Sequence, residues 1–292
     1  MTTAFLCPEF GTIPDGFDRT LADCSPSFRA AFEELDGATE IDLEWCCFEC
    51  SDEDRHKPSV GEPAVVALSY CGARVALEDG FTPAYVGGVS LGTFTALAIA
   101  DAIDPVDALR LVRRRGELIE EHADSGTMMV VMSADVSSLR AQITEINGVS
   151  IGLVASEDVC AVSGDPDSIA EVCGGMDLEA IPVPGVEYGF HSPSLEPVVS
   201  RFATVVDDYE FADEFTYPVV SDIHGTIRTD ADGLHEELTR SLVDPVRVDW
   251  LLETMIEAGV DSYVELPPQS RTSQVLAGYA PAASRHGPAE LW

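Results

Sequence analysis

The spacing of apolar and polar positions divides the chain into short strand-like runs alternating with helical stretches. Residues 3–6 form an apolar run ended by Pro8, which suits a buried first strand. Phe28, Ala31, Phe32 and Leu35 share one face of a helix expected over residues 25–35. Residues 36–61 are charged and show no period, so an irregular surface excursion is expected there. Helical spacing returns over residues 63–77 and stops at Gly80. Residues 83–89 read as a short buried strand, followed by a small-residue apolar helix over 93–102. Asp104 stands as the N-cap of the next helix, with Pro105 in its first turn, and that helix runs to about residue 121.

From Gly126 the pattern changes. Strands are expected at 127–132, 149–155, 159–162 and 178–183; between them, Asp135 or Ser137 caps a helix to about residue 146, and Asp165-Pro166-Asp167 starts another to about residue 173. The order β-α-β-β-α-β over residues 126–185 is that of a split βαβ, ferredoxin-like unit. It predicts a small domain inserted into a larger one formed by residues 1–125 and 186–292. Beyond it, helices are expected at 195–208, 234–242 and 250–258, and strands at 217–221 and 262–266. Strands alternating with helices place the fold in the α/β class.

Composition adds a large charge. Asp plus Glu number 52 against 16 Lys plus Arg, a net −36, and Lys57 is the single lysine. A field of that size strains a compact chain in dilute buffer but is screened at molar salt, where the Debye length is about 3 Å. A salt-adapted (halophilic), cytoplasmic protein is expected. Nucleic acid and anionic membrane are excluded as partners, since nothing basic faces them in bulk. No apolar run reaches the ~20 residues that span a bilayer, and the N-terminus lacks the basic start of a signal peptide. The eight cysteines read as thiols. The cluster Cys46, Cys47, Cys50 with His56 has only loose ligand spacing, so no metal is expected.

The chemistry concentrates at Gly88-Val89-Ser90-Leu91-Gly92, a G-x-S-x-G pattern between a strand and a helix. Such an elbow lifts a serine hydroxyl clear of the sheet. It also turns the next backbone N–H, that of Leu91, toward a developing oxyanion at the helix N-terminus. A serine needs a base. Among six histidines, His191 lies in Phe190-His191-Ser192-Pro193, where the chain leaves the small domain, and His224 in a turn is the next candidate. Taken alone, either could be an ordinary surface or core histidine. Arg115 ends a run of three arginines, unusual in so acidic a chain. Its spacing alone reads as a solvated helix face, but a fixed guanidinium could also bind a substrate carboxylate.

These residues resemble the malonyl-CoA:acyl carrier protein transacylases and the acyltransferase domains of polyketide synthases. The elbow is similar to that family's G-H-S-x-G, and residues 107–116 resemble the helix carrying its substrate-binding arginine, here Arg115. Gly126-Thr127-Met128-Met129 resembles its G-A-M-A strand, Val162-Ser163-Gly164 its V-S-G strand end, and Phe190-His191-Ser192 its F-H-S segment. Asp244-Pro245-Val246-Arg247 is similar to its P-V-R-W stretch. The family's elbow histidine is Val89 here, its F-P-G-Q-G glutamine is Phe10, its Q-P-A reads Glu62-Pro63-Ala64 and its late G-P-G reads Pro267-Pro268-Gln269. Its asparagine-containing strand loop is shortened to Ser156-Glu157-Asp158.

The resemblance implies an α/β-hydrolase-like large domain, with a parallel sheet, around a ferredoxin-like insertion. It implies ping-pong transfer of a malonyl group from malonyl-CoA to the phosphopantetheine thiol of an acyl carrier protein. Ser90 is then the nucleophile and His191 the base. The Leu91 and Phe10 amides form the oxyanion hole, and Arg115 holds the carboxylate. Phe190 is similar to the malonyl-preferring form of the family and Tyr188 to the branched-extender form; malonyl is expected. No cofactor is bound beyond the CoA thioester substrate and the carrier's pantetheine arm, and a monomer suffices. A thioesterase or other hydrolase using the same Ser–His pair, and a non-catalytic carrier-protein-binding homologue, remain open alternatives.

Overall fold

The computed structural model describes all residues except 15, 16, 18, 21, 22, 24, 133, 134, 144, 145, 177, 269, 270 and 288–292. Cys24 and Gln269, noted in the sequence, therefore lie outside the described residues. The first elements are β1 (Thr3–Cys7), α1 (Pro26–Ala38), a π-helical turn (Trp45–Glu49), a one-turn helix (Asp52–Arg55) and α2 (Pro58–Glu78). Then follow β2 (Tyr85–Gly88), α3 (Gly92–Ile99) and α4 (Pro105–His122). Next come β3 (Thr127–Met132), α5 (Val136–Ile143), β4 (Val149–Val154), β5 (Val159–Gly164), α6 (Pro166–Gly175) and β6 (Ala180–Pro182). The chain continues through α7 (Glu196–Val206), β7 (Val219–Val220), β8 (Ile227–Arg228), α8 (Leu234–Arg240) and β9 (Val246–Arg247). It closes with α9 (Val248–Glu257), β10 (Ser262–Glu265), α10 (Thr272–Tyr279) and β11 (Ser284–His286).

Six strands form one sheet in the order β11-β10-β1-β2-β7-β8, parallel except for the terminal β7–β8 pair. Helices cover both faces, so its central strand is apolar throughout rather than alternating. Phe5 and Cys7 point into the larger core with Val86, Val264 and the helices α1 to α4. Ala4 and Leu6 point the other way, into a second core with Tyr263, Leu251, Leu252 and Met255. The second sheet runs β6-β3-β5-β4-β9. Its first four strands are antiparallel in the ferredoxin-like order, with Val131, Val162, Ile151, Leu139 and Ile169 packed beneath them. The mixed α/β class with a parallel sheet is as expected. β9 comes from the chain after the insertion and adds a fifth strand parallel to β4.

The helix after Asp104 forms where its cap predicts, with Asp104 accepting the Val106 and Asp107 N–H groups. The stretch 36–61 differs from expectation. Leu43, Cys46 and Cys47 are fully buried against α2. The Cys50 N–H bonds back to the Trp45 carbonyl five residues earlier, so the π-turn shifts the phase and erases the 3.6-residue period. α2 also departs from the sequence reading. At 21 residues it is long and apolar enough to cross a membrane, yet most of it is buried inside the protein. It is the central core helix, apolar on every side, and it carries one buried carboxylate, Glu62.

Candidate functional site

β2 runs into α3 through a turn with no spare room. A Cβ on Gly88 would collide with the Gly92 backbone, and a Cβ on Gly92 with the carbonyls of Cys7 and Pro8. Between them Ser90 is held at φ 54°, in the left-handed region that non-glycine residues seldom occupy. Its strain is sustained by Asp222, buried in the turn after β7. One Asp222 carboxylate oxygen accepts the Ser90 N–H at 2.5 Å and the other accepts the Thr93 hydroxyl at 3.1 Å. Burial pushes the Asp222 carboxyl up to about 7, against the pull of these two hydrogen bonds.

His191 meets Ser90 from the opposite side. Its Nε2 lies 2.7 Å from Ser90 Oγ, and its Nδ1 lies 3.2 Å from the Asp244 carbonyl. A carbonyl can only accept, so Nδ1 carries the proton and Nε2 is left free to accept one. The His191 backbone is also left-handed, at φ 60°. Its loop is pinned by Ser150 Oγ on the His191 carbonyl, Ser163 Oγ on the Phe190 carbonyl and the His191 N–H on the Leu242 carbonyl. Burial, and after it the charge of Arg115, lower the His191 pKa to about 4.

Both side chains open on a cavity of about 860 Å³ between the two sheets. Phe10, Arg115, Met128 and Phe190 share its wall with Ser90 and His191. The Arg115 guanidinium sits 5.9 Å from the ring centres of both Phe94 and Phe190. It is buried, and it is paired with the buried Glu62 carboxylate. Among the described residues, the Phe10 and Leu91 amides donate no backbone hydrogen bond. Tyr188 is half-buried outside this wall, edge-on to the Phe190 ring at 6.2 Å. His224 is exposed in the β7–β8 turn.

The other arginines of α4 do not make a free basic patch. Arg110 pairs with Glu40 and Asp107, Arg113 with Glu117, and Arg114 with Glu117 and Glu121. Arg115 escapes the solvated face because it follows Ala108, Leu111 and Val112 on the buried stripe of the helix. The Asp222 carboxylate and the Asp244 carbonyl carry no local sequence signal, since they reach Ser90 and His191 across 132 and 53 residues of chain. Among the described residues no group of His, Cys, Asp or Glu has metal-binding geometry.

The profile of the family described as acyl transferase domain matches residues 4–283. The chain belongs to this family. Its relatives include the malonyl CoA-acyl carrier protein transacylase of Bacillus subtilis strain 168, 28 % identical over 97 % of this chain and 90 % of that protein. The enzyme of the same name from Escherichia coli K12 is 27 % identical over 94 % of this chain and 90 % of its own. In structure, the chain is similar to a malonyl-transacylase solved in complex with its type II polyketide synthase acyl-carrier protein. The TM-score is 0.89 at 26 % identity, over 98 % of this chain and 96 % of the other. The chain is thus an acyltransferase by family.

Asp222 gives the acyltransferase elbow a measurable pH signature. A carboxylate whose folded pKa exceeds its unfolded value binds more protons when folded, so stability falls as pH rises from about 4 to 7. A carboxyl raised to about 7 changes stability by roughly 4 kcal/mol over that range. Asparagine fits the same contacts, its oxygen accepting Ser90 N–H and its amide donating to the Thr93 hydroxyl. Asp222→Asn is therefore expected to flatten urea-unfolding stability across pH 4–7 and to raise it at pH 8. An unchanged pH slope in the variant would refute the buried-anion account.

Proposed function

We propose that this acyltransferase moves a malonyl group from CoA to the phosphopantetheine thiol of an acyl carrier protein, through an acyl-Ser90 intermediate. The observation that carries this reading is the 2.7 Å Ser90–His191 pair on the wall of a cavity that Arg115 also lines. Neutral His191 takes the hydroxyl proton at Nε2 as Ser90 Oγ attacks the thioester carbonyl. The Leu91 and Phe10 amides, with the N-terminus of α3, stabilise the oxyanion. Collapse expels the CoA thiolate, which recovers the proton from His191. The carrier's thiol then gives its proton to Nε2, and the thiolate attacks malonyl-Ser90. The serine alkoxide leaves and takes the proton back. Arg115 binds the malonyl carboxylate, and Phe190 shapes the acyl end of the cavity, with Tyr188 behind it.

The net charge of −36 supports a companion proposal. Carrier proteins that are acidic would be repelled in dilute buffer, so transfer should quicken as KCl approaches molar levels, where the Debye length is about 3 Å. The test is the intact mass of a holo carrier protein after incubation with malonyl-CoA and catalytic protein, at 0.1 and 2 M KCl (roughly the two screening regimes). A malonylated carrier, formed faster at high salt, is expected. Free malonate with no carrier adduct would replace transfer by hydrolysis. No CoA release at either salt would leave only carrier binding.

A further inference from the structure

Arg115 already has an anionic partner. Glu62 lies behind it on α2, fully buried, outside the cavity wall, with its Oε1 on Arg115 Nη1. The pair is incompletely satisfied: Glu62 Oε2 and Arg115 Nε have no hydrogen-bond partner among the described residues. Its net charge is zero. A malonyl carboxylate arriving on the same guanidinium would put two buried carboxylates on one cation, and like charges sharing a site cannot both stay ionised cheaply. An uncharged acyl group meets no such conflict.

We propose that Glu62 determines acyl selection: the cavity takes an uncharged acyl group while Glu62 is ionised, and a carboxylated one only together with a proton on Glu62. This rests on the acyl-transfer reading of the Ser90 site. The proton goes from solvent to the Glu62 carboxylate as malonyl-CoA binds, and returns when the malonyl group leaves. Burial already raises the Glu62 carboxyl to about 7, with Arg115 pulling it down and Glu120 adding to the rise.

The elements packed on α2 supply few competitors for that proton. α4 offers Arg115 and Glu120, and a Glu120 oxygen accepts the Ser59 N–H. The one-turn helix offers Arg55, paired with Asp52. The π-turn offers Cys46 and Cys47, whose thiols burial holds protonated. α1 buries only Phe28, Ala31, Phe32 and Leu35, and α3 contains no ionisable side chain. His191, which also feels Arg115, is neutral at pH 8.

The experiment is calorimetric binding of malonyl-CoA and of acetyl-CoA to the Ser90→Ala protein at pH 8, in two buffers of different ionisation enthalpy. Protonation of the CoA moiety is common to both thioesters and cancels in the difference. About one more proton taken up with malonyl-CoA than with acetyl-CoA is expected. Glu62→Gln in the same background should abolish that difference and tighten malonyl-CoA about tenfold, leaving acetyl-CoA within threefold. In the Ser90 protein, malonyl preference in acylation should fall about tenfold per pH unit above the Glu62 pKa. Equal proton counts for the two thioesters, or a difference that survives Glu62→Gln, would overturn the proposal. The first comparison needs no Glu62 variant, so a folding defect in it does not remove the test. If Ser90 is acylated by neither thioester while the proton counts still differ as stated, transfer is refuted and the Glu62 assignment stands.

Discussion

Ser90→Ala is expected to abolish the acyl adduct and to lower carrier-protein acylation by a factor on the order of 10⁴ to 10⁶, the scale on which loss of an activated nucleophile acts. The loss belongs to chemistry rather than to folding. Asp222 grips the Ser90 backbone N–H, not its hydroxyl, so the elbow keeps its anchor in the variant. Alanine at φ 54° bears about the same backbone cost as serine, since both carry a Cβ. The missing group is one hydroxyl whose partner, His191 Nε2, then faces the cavity. The measurement is intact mass and peptide mapping after brief exposure to malonyl-CoA, alongside a urea melt of both proteins. An adduct that persists in the variant, or maps to another residue, would remove Ser90 from its role. A melt shifted by several kcal/mol would instead assign the effect to the fold.

The elbow could be read from the sequence because its chemistry is local. Two glycines flank the serine at positions where any Cβ meets backbone, and a buried strand and an apolar helix bracket them. The ferredoxin-like order was legible for a related reason, as its strands are short apolar runs bounded by Gly, Pro, Ser or Asp. Arg115 reads as a solvated side chain because of its charge, yet it lies three residues beyond Val112 on the buried stripe that continues to Ile119. What stayed hidden is non-local or too short to carry a period. Asp222 reaches Ser90 across 132 residues of chain, through the β7–β8 turn that parallel pairing with β2 sets beside the elbow. β8 and β9 are two residues each. Glu62 sits in a helix apolar on all sides, where no face distinguishes a functional carboxylate from an error of pattern. The same property that makes α2 a good core helix conceals the charge that faces Arg115.

His191→Asn should reduce acyl transfer by about 10²- to 10⁴-fold, the range of a positioned general base. Asparagine is the informative replacement. It tolerates the left-handed backbone at φ 60° better than most residues, so the loop held by Ser150 and Ser163 can remain in place. It cannot accept a proton near neutrality. The pH dependence gives a second, independent reading. Because burial and Arg115 lower the His191 pKa to about 4, the wild-type base is already unprotonated throughout the neutral range. The acid limb of kcat/KM that belongs to His191 should therefore lie near pH 4, not 6.5, and be missing in the variant. Stability carries the opposite sign from Asp222. A histidine with a lowered folded pKa binds fewer protons folded than unfolded, so its contribution is present above about 6.5 and lost as pH falls to about 4. His191→Asn should flatten that part of the acid-unfolding curve while removing activity. A variant that loses activity yet keeps both the acid limb and the acid slope would mean that the proton on Ser90 goes elsewhere. The Nδ1 contact to the Asp244 carbonyl would then serve only to hold the loop.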